Sequence, residues 1–205
     1  MNEKKSVMRP ELWTRRSVED TLAVYADWAE TYDQDILGRG YHTPDRIAAA
    51  LKEHIKLDTQ ILDFGCGTGL AGNVLYASGF TDLHGTDITA EMLEKAAARG
   101  IYGKTWLSQP GELSFGRGAY RAIVAVGVIS LGAAPADTLG TLTAKLDTGG
   151  LLALSFNDPT LADQSYTDAL AAEVASGRVE VIFREHGPHL DDVDMGADII
   201  VLRAR

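Results

Sequence analysis

Cysteine is almost absent from this 205-residue sequence. The single thiol, Cys66, excludes an intramolecular disulfide and any cysteine-rich zinc centre. Proline is sparse, at 6 residues, and there are no repeats or low-complexity stretches to mark a linker. Positive charge is also short: 19 Lys and Arg stand against 29 Asp and Glu, a formal net charge of −10. Such a surface repels phosphate backbones and anionic headgroups, which argues against a partner that is nucleic acid or a membrane surface. No apolar run is long enough to cross a bilayer; the longest, residues 122–136, is interrupted by Gly127, Gly132 and Pro135. The charges of residues 1–13 have no apolar stretch behind them, so no secretory signal is expected and the expected compartment is the cytoplasm.

What is present is ordinary core material, 45% hydrophobic, enough for one domain spanning residues 1–205. Residues 1–16 are polar and of mixed charge, and a frayed start is expected there. From Ser17, with Asp20 three residues on, the pattern turns helical, and Leu22, Tyr25, Trp28, Ala29 and Tyr32 recur at three- and four-residue steps. Thr43-Pro44-Asp45 marks a second helix start, with Thr43 as N-cap and Ile47, Leu51 and Ile55 as the buried stripe. Residues 1–42 therefore read as a helical cap and 43–205 as a core.

That core alternates strand and helix. Strands are expected at residues 60–64, 83–87, 105–107, 122–128 and 151–156, and helices at 70–78, 90–99, 138–145 and 162–175. Two β-rich runs, 179–184 and 197–203, close the chain with only a polar loop between them. Alternation of this kind means parallel βαβ units and an open α/β sheet with helices on both faces. The last two runs pair antiparallel, giving a seven-stranded, mostly parallel sheet with an antiparallel C-terminal hairpin.

Chemistry begins at Ile61-Leu62-Asp63-Phe64-Gly65-Cys66-Gly67-Thr68-Gly69, where the first strand turns into a helix. Glycines there let the loop bend tightly and a ligand approach the backbone, and the helix N-terminus offers a positive end. Open sheets bind ligands at this switch point. Two ligands fit. Gly67-Thr68-Gly69-Leu70-Ala71-Gly72 also reads as G-x-G-x-x-G with Asp87 about twenty residues on, which allows an NAD(P)-dependent oxidoreductase. Asp63 before the glycines, suited to an ammonium-bearing ligand, the helical sequence before the first strand and the terminal hairpin favour S-adenosylmethionine. A non-catalytic S-adenosylmethionine-binding domain is the third reading.

ILDFGCGTG followed by GTDITAEMLEKA resembles motifs I and II of class I S-adenosylmethionine-dependent methyltransferases. KLDTGGLLALSF is similar to their L-x-P-G-G turn and fifth strand, with Thr148 in place of the proline. VYADWAETYDQDILGRGYHTPDRI resembles the Y-D-x-W-A-x-x-Y-D opening of a subgroup similar to Williams–Beuren syndrome region methyltransferases. Tyr25, Trp28, Tyr32 and Asp33 match; Ala26 stands where the first Asp would be.

The resemblance implies the Rossmann-like class I methyltransferase fold and methyl transfer from S-adenosyl-L-methionine to a small-molecule acceptor by in-line displacement, leaving S-adenosyl-L-homocysteine. It implies that Gly65, Cys66, Gly67 and Gly69 pass the methionine end of the cofactor and that Asp63 steadies the loop. Asp87 would accept from both ribose hydroxyls, Ile88 and Met92 would pack on the adenine, and Ser108 and Gln109 would meet its edge. Val126, late in the fourth strand, joins the expected cofactor contacts. Tyr25, Trp28 and Tyr32 are either a lid with hydroxyls reaching the methionine carboxylate or an aromatic staple that packs the leading helix.

No catalytic base is identified; the candidates are His186, His189 and Asn157. His186 and His189 with Asp191, Asp192 and Asp194 match no closed metal site, so no metal is expected and the segment reads as a solvated acidic loop. If residues 179–184 run parallel to the central strands, that loop opens on the ligand face and either histidine could assist proton removal. Asn157-Asp158-Pro159 reads as a turn with an acceptor-side contact. A monomer or homodimer is expected.

Overall fold

The computed structural model describes residues 10–205, with the side chains of residues 10 and 11 left aside; the expected frayed start over residues 1–9 lies outside them. Seven strands form one sheet: β1 (Ile61–Phe64), β2 (Leu83–Asp87), β3 (Lys104–Leu107), β4 (Ala122–Ala125), β5 (Leu151–Asn157), β6 (Val179–Leu190) and β7 (Met195–Ala204). Their order is β3-β2-β1-β4-β5-β7-β6. Strands β1 to β5 are mutually parallel, β7 lies antiparallel to β5, and β6 antiparallel to β7. Strand order reverses between β1 and β4, which places the crevice of an open α/β sheet above the end of β1.

Eight helices accompany the sheet among the described residues: α1 (Val18–Trp28), α2 (Tyr32–Leu37), α3 (Thr43–Lys52), α4 (Leu70–Ala77), α5 (Ala90–Ala98), α6 (Thr138–Thr143), α7 (Asp158–Ala162) and α8 (Gln164–Ala175). The central strands are buried on both faces, so successive residues feed two separate cores. Ile61, Val124, Ala153 and Val201 pack with Ile47, Leu51 and Leu75 of α3 and α4. Leu62, Ile123, Leu154 and Ile200 pack with Leu139, Leu142, Tyr166 and Leu170 of α6 and α8.

The cap differs from the expected single helix. Ser17 caps α1 as expected, accepting from the Asp20 N–H at 3.0 Å. The helix stops at Trp28, and Tyr32 opens a separate short helix. Asp35 holds that corner, accepting from Trp28 Nε1 at 2.8 Å and Thr31 Oγ1 at 2.9 Å. Pro10–Trp13 is a 3-10 turn rather than frayed chain, with the Leu12 carbonyl against Gly132 and the Arg16 guanidinium donating to the Gly132 carbonyl. His42, not Thr43, is the N-cap of α3, because the Thr43 hydroxyl is buried against His189.

The C-terminal half departs from expectation in three places. β4 ends at Ala125 rather than residue 128, because Gly127 turns the chain at φ 71° and gives its N–H to Ser155 Oγ at 2.9 Å. Asp158–Ala162 is a helical turn capped by Asn157. The expected acidic loop is mostly strand: β6 runs through His186, Gly187, Pro188 and His189, leaving only residues 191–194 as the turn. Register shifts near Val181 and Pro188 bend this edge strand, where a proline needs no ladder partner. The Arg46 side chain fastens it, donating to the carbonyls of Glu185, Pro188 and Ala197 at 2.9, 3.1 and 2.9 Å.

Candidate active site

The glycine loop follows β1, and its glycines differ in purpose. All three have positive φ: 67° at Gly65, 55° at Gly67 and 86° at Gly69. A Cβ on Gly65 would meet Val128 at 2.5 Å, and one on Gly69 would meet the Arg99 side chain at 2.9 Å. At Gly67 nothing among the described residues lies within 4 Å, so of the three this residue faces open space. The Gly67 N–H donates to Asp87 Oδ2 at 2.8 Å, and Thr89 N–H to Asp87 Oδ1 at 2.8 Å. Asp87, at the end of β2, thus ties the loop to the start of the next helix. Burial raises its carboxyl pKa, opposed by the N–H groups of Thr89, Gly67 and Ile88.

Asp63 lies beneath the same loop and is fully buried. Its Oδ2 accepts from the Tyr102 hydroxyl at 2.7 Å. Its Oδ1 is buried without a hydrogen-bond partner among the described residues. Burial pushes the Asp63 pKa up to about 7, aided by the charge of Asp87 and opposed by the Tyr102 hydrogen bond and the nearby Gly72 N–H group. The Cys66 thiol points under the loop, so that a Cβ on Gly85 would lie 3.1 Å from it. Burial raises its pKa, as do Asp63 and Asp87, which keeps it a neutral thiol.

Three phenols cover this floor. Tyr25, Trp28 and Tyr32 form one ring cluster, with Trp28 edge-on to Tyr32 at 4.7 Å between ring centres and Tyr25 at 6.3 Å from Trp28. Burial raises the pKa of Tyr25, Tyr32 and Tyr41. Tyr32 feels Asp33 first and Asp87 after it, Tyr25 feels Asp87 and Tyr41 feels Asp63, so the three phenols stand near the acids at the strand ends. They remain protonated, so each hydroxyl keeps a proton to donate. Tyr41 was not visible as a site residue in sequence. Its signal was proximity to Tyr32 and Thr43; its hydroxyl would lie 3.6 Å from a Cβ on Gly127, beyond β4.

Other expected residues are placed as follows. Met92 is buried and Ile88 half-buried beside β2. Ser108 is buried with its hydroxyl on Thr86 and its N–H on the Asp87 carbonyl, while Gln109 is exposed. Val126 is half-buried just past the end of β4. Asn157 Oδ1 is engaged twice, by the N–H and hydroxyl of Thr160 at 3.1 and 2.6 Å. That makes it a structural cap.

The two histidines separate. β6 runs parallel to the central strands, so its end does open on the crevice side. His186 sits on the strand with Nδ1 at 2.8 Å from Asp198. It faces a surface cavity of about 350 Å³ lined also by Asp158, Asp191 and Asp194. His189 is buried, with Nδ1 at 2.6 Å from Thr43 Oγ1 and its ring edge-on to Tyr41 at 5.4 Å. Burial lowers its pKa to about 4, so it is neutral at physiological pH. Among the described residues no group of three or more His, Cys, Asp or Glu side chains is arranged to hold a metal ion.

Comparison with known proteins matches residues 34–194 to a methyltransferase domain family. The chain belongs to that family. Human methyltransferase-like protein 27 is 34% identical over 156 residues, covering 74% of this chain. The chain spans 63% of that relative's length. Among solved structures, magnesium protoporphyrin IX methyltransferase from Synechocystis, with S-adenosylhomocysteine bound, superposes at TM-score 0.67 and 16% identity over 91% of this chain and all of that one (100%). The cyclase SpnF superposes at TM-score 0.70 and 16% identity, covering 93% of this chain and 97% of its own. These likenesses establish a methyltransferase domain with the Rossmann-like fold. A cyclase on the same scaffold means the reaction must be argued from residues.

Proposed function

We propose that this methyltransferase domain transfers a methyl group from S-adenosylmethionine to a small-molecule acceptor in the cytoplasm, as a monomer or homodimer. The observation that carries this reading is the paired acid arrangement at the strand ends. Gly67 opens space where a ligand passes the backbone, Asp63 keeps one carboxylate oxygen unpartnered below it, and Asp87 stands at the next strand end. These residues fit the cofactor's three polar parts. Asp87 suits the vicinal ribose hydroxyls, Asp63 the ammonium, and the phenols of Tyr25 and Tyr32 the carboxylate. Ile88 and Met92 border the adenine, with Ser108 and Gln109 at its edge.

The opening from Tyr25 to Asp33, with its ring cluster folded over the glycine loop, supports placing the chain in the subgroup similar to Williams–Beuren syndrome region methyltransferases. The net charge of −10 disfavours a nucleic-acid acceptor.

When bound, the cofactor supplies an activated, electrophilic methyl group. The protein's part is alignment and exclusion of water. Asp63 and Asp87 fix the ligand's polar ends, and the rings of Tyr25, Trp28 and Tyr32 close the crevice. Tyr41, protonated and beside Gly127, donates a hydrogen bond on the acceptor side. His189 stands behind Tyr41 as a neutral imidazole, a weak base, so the favoured acceptors are those that need no strong base. Incubation with methyl-labelled S-adenosylmethionine and a panel of small amines, phenols, thiols and carboxylic acids tests this. Label should pass to a small acceptor; label transferred only to protein or RNA, or to nothing, would contradict it.

A further inference from the structure

Three observations converge on Tyr102, a residue in the loop between α5 and β3. Its hydroxyl donates to Asp63 Oδ2 at 2.7 Å. A Cβ on Gly72, in the first turn of α4, would lie 2.0 Å from that hydroxyl, and a Cβ on Gly85, within β2, 3.2 Å from the ring. Neither glycine has a positive φ, so both are glycine for space and not for backbone conformation. Gly72 is the third glycine of the apparent dinucleotide fingerprint. Its role here is to admit a phenol beneath the loop. A helix and a strand both forgo a side chain to let one ring reach one carboxylate, although glycine weakens each element.

The consequence falls on the other oxygen. With Oδ2 engaged by Tyr102, Asp63 cannot rotate freely, and Oδ1 is held buried and without a partner among the described residues. A buried acceptor left unsatisfied is unfavourable unless something from outside the chain completes it. We propose that Tyr102 is a positioning residue, which orients Asp63 so that Oδ1 receives the ammonium of the cofactor's methionine end. This rests on the reading of Asp63 given above.

The electrostatic surroundings give the proposal a pH signature. The groups facing Asp63 are Tyr102 with Arg99 beyond it, Cys66 in the loop, Asp87 on β2 and Tyr41 from the cap. Tyr102, Cys66 and Tyr41 stay protonated, so Asp63 is the group that titrates near neutrality, at about 7. An ammonium binds the ionised form, so affinity should rise with pH through that value. The Tyr102 hydrogen bond lowers the Asp63 pKa; removing it must move the rise to higher pH.

The test is calorimetric binding from about pH 5.5 to about pH 7.5, below the ordinary pKa of an α-amino group. Two ligands are used: S-adenosylhomocysteine, and 5′-methylthioadenosine, which lacks the amino-acid end. In the unaltered protein the first should bind more tightly as pH rises and the second should not respond. Tyr102→Phe keeps the ring; it should weaken S-adenosylhomocysteine about three- to tenfold at neutral pH, the range for one hydrogen bond. It should also shift the pH profile upward and leave methylthioadenosine unchanged. Gly72→Ala, which displaces the hydroxyl, should behave alike if Tyr102→Phe folds poorly. An equal loss for both ligands, or an unshifted profile, would overturn the role of Tyr102. Asp63→Asn separates the two readings: if it leaves the ratio of the two affinities unchanged, the assignment of Asp63 itself fails.

Discussion

The hydroxyl of Thr68, in the glycine loop, donates to the carboxylate of Asp33, which lies 35 residues earlier in the cap. Arg99, at the end of α5, pairs with the other oxygen of Asp33 and donates through Nε to the Thr68 carbonyl at 2.6 Å. Lys95, one turn earlier, pairs with Glu30 at 2.7 Å. The cap is therefore latched to the loop by charged groups that water can reach. Such a contact can open, as a lid must.

Asp33→Asn should loosen that latch without unfolding the core. Hydrogen exchange over residues 25–37 is expected to speed up, with exchange in β1 and β5 unchanged. Equal acceleration across the whole sheet would show that the cap is part of the core.

Tyr32→Phe distinguishes a lid from a staple. Among the described residues no protein group hydrogen-bonds the Tyr32 hydroxyl, so its removal should leave the melting temperature of the ligand-free protein nearly unchanged. Affinity for S-adenosylhomocysteine should fall by the worth of one hydrogen bond, about 1 kcal/mol. A lower melting temperature with unchanged affinity would favour the staple.

Asp87→Ala removes the acceptor of two backbone N–H groups as well as the proposed ribose partner. Binding of S-adenosylhomocysteine should weaken by about 1.5–3 kcal/mol, the range for hydrogen bonds to a charged group. The fold should survive, since Asp87 ends a strand. Unchanged affinity in a folded variant would remove the ribose assignment.

His189 gives a pH prediction of definite sign. Its pKa falls from 6.5 to about 4 on folding, so the unfolded chain takes up the proton first. The stability held by neutral His189 is fully present above about pH 6.5 and declines as pH falls towards about 4. Thermal unfolding between those values should be less pH-dependent in His189→Gln than in the parent. Identical slopes would show that other groups govern the acid sensitivity.

Much of the sheet was legible because its signals are local. Gly-x-Gly-x-Gly after a buried strand, Asp87 ending the next one, and Gly149-Gly150 before β5 each act through neighbouring backbone. Pairings between distant residues were not. The link from Asp63 to Tyr102 spans 39 residues, yet two glycines in element interiors, Gly72 and Gly85, were its visible trace. The cap was legible as an aromatic stripe but not as two helices, because the break at Ala29–Thr31 is held by the Asp35 side chain. His186 and His189 read as loop residues because Gly187-Pro188 normally punctuates a chain. Their strand depends on Arg46, well over a hundred residues earlier in sequence.

The most direct test of the account is a calorimetric titration of the purified protein with S-adenosylhomocysteine, beside the same titration of Gly67→Val. A side chain at residue 67 would enter the open space above the loop at a positive φ that β-branched residues resist. The account predicts saturable binding by the parent, none or nearly none by a folded Gly67→Val, and no binding of NADH by either. Binding of NADH without S-adenosylhomocysteine, or undiminished S-adenosylhomocysteine binding by the folded variant, would contradict it.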